Sequence, residues 1–84
     1  MKKDAILNKV ISVVSEKFKK EPSDISEETC FSFDLGADSL DMYDVAIDME
    51  AEFGIKIVFD DFKNVENVSD VVSYIENKLN SKDN

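Results

Sequence analysis

Apolar residues near the amino terminus recur every three or four positions, with lysine and glutamate between them. This spacing predicts a first helix from about Asp4 to Lys19, which Pro22 and Ser23 then bring to an end. Two further apolar residues, Leu7 and Ile11, widen the stripe to the breadth typical of a helix packed in a bundle. The stripe itself consists of Ile6, Val10, Val13, Val14 and Phe18.

Residues 20–37 form a long connection without a sustained period. A loop of this length is unusual unless it packs onto the core or carries function. We expect its apolar residues to pin it onto the core, with Cys30 packing as a small hydrophobic residue. These apolar residues are Ile25, Phe31, Phe33 and Leu35.

A second helix is predicted to begin where Gly36 ends the connection. Asp38 can cap its first turn, and Asp41 stands three residues further on, which is a loose form of the capping box. The helix is expected to run to about Phe53, where Gly54 closes it.

This second helix carries two apolar stripes separated by acidic residues. The stripe assigned to the core consists of Val45, Ala46, Met49 and Phe53. The other stripe begins beside Ser39 and consists of Leu40, Tyr43 and Ile47. The acids are Asp41, Asp44, Asp48, Glu50 and Glu52. No base occurs between residues 31 and 55, so we expect nothing to offset the acidic charge of this helix.

The last third of the chain predicts one more long helix. Residues 55–59 alternate weakly but would form a strand without a partner, so we expect an extended loop, followed by a short helical turn at residues 60–64. Asn67 then caps a helix, and residues 80–84 are expected to fray. The apolar stripe of this helix is Val68, Val71, Val72, Ile75 and Leu79.

Composition narrows the function. The 84 residues fit one domain over residues 1–84, with 19 acids, 10 bases and a net charge of −9. This charge favours basic protein surfaces over nucleic acid, which is bound through lysine and arginine. Without histidine and with the single cysteine Cys30, neither the usual catalytic base nor a zinc site is expected, nor an internal disulfide. No membrane span or signal-peptide core is visible, so we expect a cytoplasmic protein.

Ser39 is the candidate for chemistry. A serine in the first turn of a helix is ordinarily structural, but Asp38 can already cap, which leaves the hydroxyl of Ser39 free to face solvent. A phosphate ester there would lie near unpaired backbone N–H groups and the positive end of the helix dipole. No base stands near Ser39 in sequence. We therefore interpret it as an acceptor that another enzyme modifies, with no catalytic residue in the chain.

The segment at residues 34–41, Asp-Leu-Gly-Ala-Asp-Ser-Leu-Asp, resembles the phosphopantetheine attachment motif of acyl carrier proteins. The resemblance covers most of the chain and implies an all-α four-helix bundle with three main helices and one short helix. It implies that Ser39 carries covalent 4′-phosphopantetheine, whose thiol holds acyl groups as thioesters. Departures from the family pattern are Tyr43, Asp44 and the pair Val58-Phe59.

The resemblance also implies which residues meet partner proteins. Asp38 is similar to the family's acid next to the modified serine, and that acid contributes to the metal site of the attaching transferase. The chain itself is expected to hold no metal. An exposed apolar patch is implied at Leu40, Tyr43 and Ile47. An acidic recognition surface is implied at Asp41, Asp44, Asp48 and Glu50.

We therefore expect a monomeric carrier, not an enzyme, that serves fatty acid biosynthesis. Its expected partners are a phosphopantetheinyl transferase, fatty acid synthesis enzymes with basic docking surfaces, and acyl chains. Tyr43 and Phe59 leave open a specialised pathway with a polyketide, aminoacyl or lipid A precursor cargo. An unmodified acidic helical docking module is the alternative from a different class.

Overall fold

The computed structural model of the protein describes residues 2–82, with side chains to residue 80. A single 3₁₀ turn lies at Pro22–Asp24. The α-helices are α1 at Lys3–Phe18, α2 at Phe31–Leu35, α3 at Ser39–Phe53, α4 at Phe59–Phe62 and α5 at Val68–Lys82. The predicted all-α bundle with three main helices is confirmed, and within the described range the only β-type pairing is an isolated bridge between Cys30 and Asn67.

The core lies where α1, α3 and α5 face one another. α1 buries Ile6, Val10 and Val14 completely, as its apolar stripe predicts. α3 contributes Val45 and Met49 in the same way. Full burial of an aliphatic side chain contributes roughly 1.5–3 kcal/mol each, so these stripes hold the three helices together. α5 buries four of the five residues of its predicted stripe, Val68, Val71, Val72 and Ile75, and the fifth, Leu79, is partly buried against the core.

The connection between α1 and α3 is folded onto this core only in part as predicted. Ile25 and Phe31 are buried and Leu35 packs against the core, but Phe33 is 89% exposed. The prediction for Phe33 is wrong because residues 31–35 form the short helix α2, which the sequence did not predict. Two positions along a helix turn the side chain by about 200°, so Phe33 faces away from the core that Phe31 enters. Gly36 ends α2 with a φ of 65°, which glycine adopts readily.

The loop before α4 is extended and tethered at two points. The Ile57 N–H donates to the Glu50 carboxylate at 2.7 Å, and the Val58 N–H donates to the Tyr74 hydroxyl at 3.3 Å. The short helical turn predicted for residues 60–64 is present as α4, and Phe62 on it is fully buried. These contacts tie the loop to the last part of α3 and to α5.

The last predicted helix is present as α5 at the carboxyl terminus. α5 continues through residues 80–82, where fraying was expected. Leu79 packs against the core and so holds the last turn in place. Residues 83 and 84 of the predicted tail lie outside the described residues.

Candidate functional site

The first turn of α3 is closed by a reciprocal capping box. Asp38 is extended, with φ −105° and ψ −172°, and its carboxylate accepts the Asp41 N–H at 2.9 Å. In return the Asp41 carboxylate accepts the Asp38 N–H at 3.1 Å. The loose capping box expected from sequence is therefore complete, and it fixes the direction in which α3 leaves the connection.

Ser39 occupies the first helical position of α3, where its side chain is exposed and takes no part in the cap. Within residues 2–82, no hydrogen-bond acceptor lies on the N–H of Ser39 or of Leu40. These free donors coincide with the positive end of the helix dipole, equivalent to about half a charge. An anionic ester on the Ser39 hydroxyl would therefore meet favourable charge without any change in the fold.

A cleft of about 440 Å³ opens beside Ser39. Its walls include Phe31 from α2, Met42 from α3, and Phe59 and Lys63 from the α4 region. A second cleft, of about 520 Å³, lies away from Ser39 between α1 and α3. Only the first of the two adjoins the serine hydroxyl, so it offers the nearer room for a group attached there.

An apolar patch extends from Ser39 along the outer face of α3. Leu40 is 74% exposed, and Tyr43 and Ile47 are half-exposed, as predicted. The structure adds a T-shaped contact of Tyr43 with Phe59 at 5.2 Å between ring centroids, and Val58, next to Phe59 in the chain, is also half-exposed. Sequence reasoning noted the apolar Val58-Phe59 pair without placing it at the site. Aromatic pairs of this geometry contribute about 0.5–1.5 kcal/mol, so Phe59 supports the position of Tyr43.

The acidic face of α3 does have bases beside it, so the expectation that nothing offsets its charge is wrong. The Lys17 ammonium lies 3.7 Å from the Asp44 carboxylate and 3.6 Å from that of Asp48. Lys9 lies 3.1 Å from Glu52. Both lysines come from α1, and Lys9 lies 43 positions before Glu52 in the chain. Inspection of the sequence around α3 alone could therefore not have revealed them.

Three of the predicted recognition acids already hold parts of the fold. Asp38 and Asp41 form the capping box, and the partly buried Glu50 carboxylate accepts the Ile57 N–H. Asp44 and Asp48 face outward, with Lys17 as their ion-pair partner. We call Leu40, Tyr43, Asp44, Ile47 and Asp48 the docking surface from here on.

Cys30 is half-buried at the start of α2, and its sulfur lies 3.7 Å from the Ser32 hydroxyl. The hydrogen bond from the Phe33 backbone N–H is the main cause that lowers the pKa of the Cys30 thiol, and the hydrogen bond with the Ser32 hydroxyl is the second. Across the described part of the chain, no group of three or more His, Cys, Asp or Glu side chains is placed to hold a metal ion. Within the same range, no helix is long and apolar enough to cross a membrane.

Comparison with known proteins extends this picture. The family described as phosphopantetheine attachment site matches residues 8–75. An acyl carrier protein of Thermotoga maritima is 46% identical over 77 residues, which cover 92% of this chain and 95% of that protein. An acyl carrier protein of an Exiguobacterium species is 44% identical over 79 residues, covering 94% of this chain and all of that protein, 100%. The solved structure of the acyl carrier protein from Enterococcus faecalis superposes with a TM-score of 0.76 at 29% identity, covering 93% of this chain and 99% of that one.

A helical bundle of this size, matched along most of its length by a phosphopantetheine attachment family, is a carrier of a covalent prosthetic arm. The chain belongs to the acyl carrier protein family. The family expected from residues 34–41 and the phosphopantetheine group that it implied are thereby confirmed.

Proposed function

We propose that the protein carries acyl groups as thioesters on a 4′-phosphopantetheine arm attached to Ser39, in fatty acid biosynthesis. The observation that carries this proposal is the exposed Ser39 hydroxyl at a fully capped helix start whose first two N–H groups are free. The proposal places no catalytic residue in the chain, since Ser39 only accepts the arm.

The physical chemistry of the attachment follows from the helix start. In the attachment, the Ser39 hydroxyl loses its proton and attacks the pyrophosphate of coenzyme A, adenosine 3′,5′-bisphosphate leaves, and the resulting phosphodiester carries one negative charge. The free N–H groups of Ser39 and Leu40 and the helix dipole favour that charge. The arm then leaves α3 beside the cleft that Met42 and Phe59 line. The Asp38 carboxylate takes part in the cap, and the residue is exposed. Because Asp38 is next to Ser39 in the chain, it lies close to any transferase that reaches the Ser39 hydroxyl.

Partner recognition is proposed to combine the two halves of the docking surface. Leu40, Tyr43 and Ile47 form an apolar centre, while Asp44 and Asp48 stand at its edge. Such a centre with a charged rim is common in protein interfaces. The net charge of −9 favours enzymes with basic surfaces, chiefly by raising their association rate.

We place the protein in the cytoplasm as a monomer with one domain over residues 1–84. The relatives are named as acyl carrier proteins without a pathway. The aromatic contact between Tyr43 and Phe59 favours, as a second candidate, a carrier of a specialised pathway with a polyketide, aminoacyl or lipid A precursor cargo. Comparing the loaded carrier as a substrate for fatty-acid and polyketide condensing enzymes separates these two.

The attachment itself is tested by intact mass after incubation with coenzyme A and a phosphopantetheinyl transferase. We expect one phosphopantetheine per chain in the parent protein and none in Ser39→Ala. Ser69→Ala is the matched control, because Ser69 lies in the first turn of α5 behind a similar cap. That variant should be modified like the parent. A modified Ser39→Ala protein would refute the assignment, and an unmodified parent would favour an acidic docking module.

A further inference from the structure

The ammonium group of Lys17 sits between the two outward-facing carboxylates of the docking surface. Asp44 and Asp48 are one helical turn apart on α3, and Lys17 reaches both, at 3.7 and 3.6 Å. A carboxylate pair one turn apart is where a partner's cation would gain most from two negative charges at once. In this protein, a cation from α1 already occupies that position.

The side chain of Lys17 is held in place more firmly than that of Lys9, the other lysine joining α1 to α3. Only 23% of the Lys17 side chain is exposed, against 47% for Lys9. Burial of the aliphatic stem against α3 positions the ammonium while leaving it at the surface. Its distances to the carboxylates exceed the 2.7–3.2 Å of a good hydrogen bond, so both contacts are ion pairs that a closer donor can outcompete.

Space for such a competing donor is present. The cleft of about 520 Å³ between α1 and α3 is lined by one base, three acids and two small apolar residues, namely Lys17, Glu16, Asp48, Glu52, Val13 and Ala51. A side chain that enters this cleft reaches the Asp48 carboxylate. It also comes close to the Lys17 ammonium, which repels it if it is a cation.

We propose that Lys17 is a specificity-determining residue: an internal cation that competes with a partner's arginine or lysine for Asp44 and Asp48. This inference rests on the proposed function, because it takes the outer face of α3 as the surface that partners contact. Lys17 lowers the charge offered by the carboxylate pair from −2 to −1. It therefore weakens every basic partner, but least those whose arginine can bind a carboxylate through two N–H groups and displace the ammonium.

Three variants test the proposal. Lys17→Gln removes the internal competitor, and Lys9→Gln is the matched control, because it also removes one charge and one ion pair between α1 and α3. Glu52, the partner of Lys9, lines the same cleft one helical turn beyond Asp48, so Lys9→Gln frees a neighbouring carboxylate but leaves the contacts of Lys17 with Asp44 and Asp48 in place. Lys17→Arg keeps the charge and should pair more tightly with the two aspartates.

The measurements are the association rate of the transferase at low salt and the binding of a hexa-arginine peptide followed by the amide NMR shifts of Asp44 and Asp48. For Lys17→Gln we expect the association rate of the transferase and the affinity for the peptide each to rise about two- to five-fold, the scale of a single surface ion pair. Lys9→Gln should change them by clearly less. Lys17→Arg should lower the association rate and the peptide affinity below those of the parent. This variant tests the proposal by itself if Lys17→Gln does not fold.

Equal gains in Lys17→Gln and Lys9→Gln would show an effect of net charge alone and would overturn the proposal. A Lys17→Arg protein that binds like Lys17→Gln would overturn it as well. The binding experiment with the hexa-arginine peptide does not require Ser39 to be modified. A parent protein that stays unmodified but shows the expected order of peptide affinities therefore refutes the proposed function and supports the role of Lys17.

Discussion

Two helices of this protein begin with almost the same cap, and only one of these beginnings is a candidate site. At α3 the Asp38 carboxylate accepts the Asp41 N–H at 2.9 Å, and Asp41 answers by accepting the Asp38 N–H at 3.1 Å. At α5 the Asn67 side chain accepts the Asp70 N–H at 2.9 Å, and the Asp70 carboxylate accepts the Asn67 N–H at 3.3 Å. The capping chemistry therefore starts a helix but does not distinguish a structural start from a functional one.

The difference lies in what surrounds the first helical residue. Val68 is fully buried, its N–H donates to the Thr29 carbonyl at 3.1 Å, and the next N–H, of Ser69, donates to the Glu27 carbonyl at 2.9 Å. At α3 the equivalent residues are Ser39 and Leu40, both exposed, with no acceptor on either N–H among residues 2–82. The free donors and the open side make the start of α3 available to an attached anion, whereas the start of α5 is already used by the fold.

The largest effect is expected when Ser39 is replaced by valine, the residue at the equivalent position of α5, because this removes the functional difference between the two helix starts. Ser39→Val is expected to lose all modification by a phosphopantetheinyl transferase, since no hydroxyl remains. Its free energy of unfolding should stay within about 0.5 kcal/mol of the parent, because the side chain is exposed and takes no part in the cap. Intact mass and urea unfolding measure the two quantities. A loss of several kcal/mol would show that Ser39 is a structural residue.

The reverse exchange at α5 should lower the stability of the fold without creating a second attachment site. Val68→Ser removes a fully buried side chain and places a hydroxyl in the core. We expect it to lower the free energy of unfolding by about 2–4 kcal/mol. Below the unfolding transition, the fraction of protein modified at Ser39 should equal that of the parent. Any second modification, on the new serine at position 68, would contradict the view that burial excludes α5 from this chemistry.

The two caps should be worth the same for folding and differ in function. Asp38→Ala and Asn67→Ala are each expected to lower the free energy of unfolding by about 1 kcal/mol, as loss of an N-cap usually does. Only Asp38→Ala should also slow modification of Ser39, because it loosens the turn that presents the hydroxyl. Urea unfolding and the initial rate of mass increase give both values. Equal slowing in the two variants would point to a general loss of stability and not to a local effect.

The sequence indicates these helix starts well because the caps are local. Asp38 and Asp41 are three residues apart, as are Asn67 and Asp70, so the spacing alone predicts the hydrogen bonds. The 3.6-residue period likewise predicts which faces enter the core, and the attachment motif at residues 34–41 indicates the family. The caps and the periods lie within a single helix, and the attachment motif is one continuous stretch of eight residues.

Features that depend on distant parts of the chain could not be predicted in this way. Phe33 was expected in the core because its apolar neighbours are there, yet α2 turns it outward to 89% exposure. The acids of α3 were expected to lack counterions, because Lys9 and Lys17 reach them only after α1 and α3 pack together. The tether from Ile57 to Glu50 also joins residues seven positions apart across a helix end. Tertiary packing determines the ion pairs and the tether to Glu50, whereas Phe33 is turned outward by α2, a helix too short to show a period in the sequence.

The smallest expected effect concerns the charge that follows each helix start. After its cap, α3 carries Asp44 and Asp48 on its outer face, with Lys17 between them, in a chain of net charge −9. Like charges one turn apart cost about 0.2–0.5 kcal/mol per pair, and Lys17 offsets this cost for Asp44 and Asp48. Added salt screens attraction and repulsion alike over a Debye length of roughly 8 Å at physiological ionic strength. The repulsion is the larger of the two because acids outnumber bases by 19 to 10.

The melting temperature of the parent should therefore rise with NaCl, by only about 2–4 °C, the shift that roughly half a kcal/mol gives in a domain of this size. Lys17→Gln leaves Asp44 and Asp48 without their cation, so its melting temperature should start lower and rise more steeply. Association with the transferase should slow over the same range of salt, because electrostatic steering is lost. Calorimetry and stopped-flow kinetics at matched NaCl concentrations give the three slopes. A melting temperature that falls with salt in the parent would mean that the ion pairs to α1 outweigh the repulsion along α3. Association that is insensitive to salt would mean that the acids of the docking surface serve solubility and not recognition.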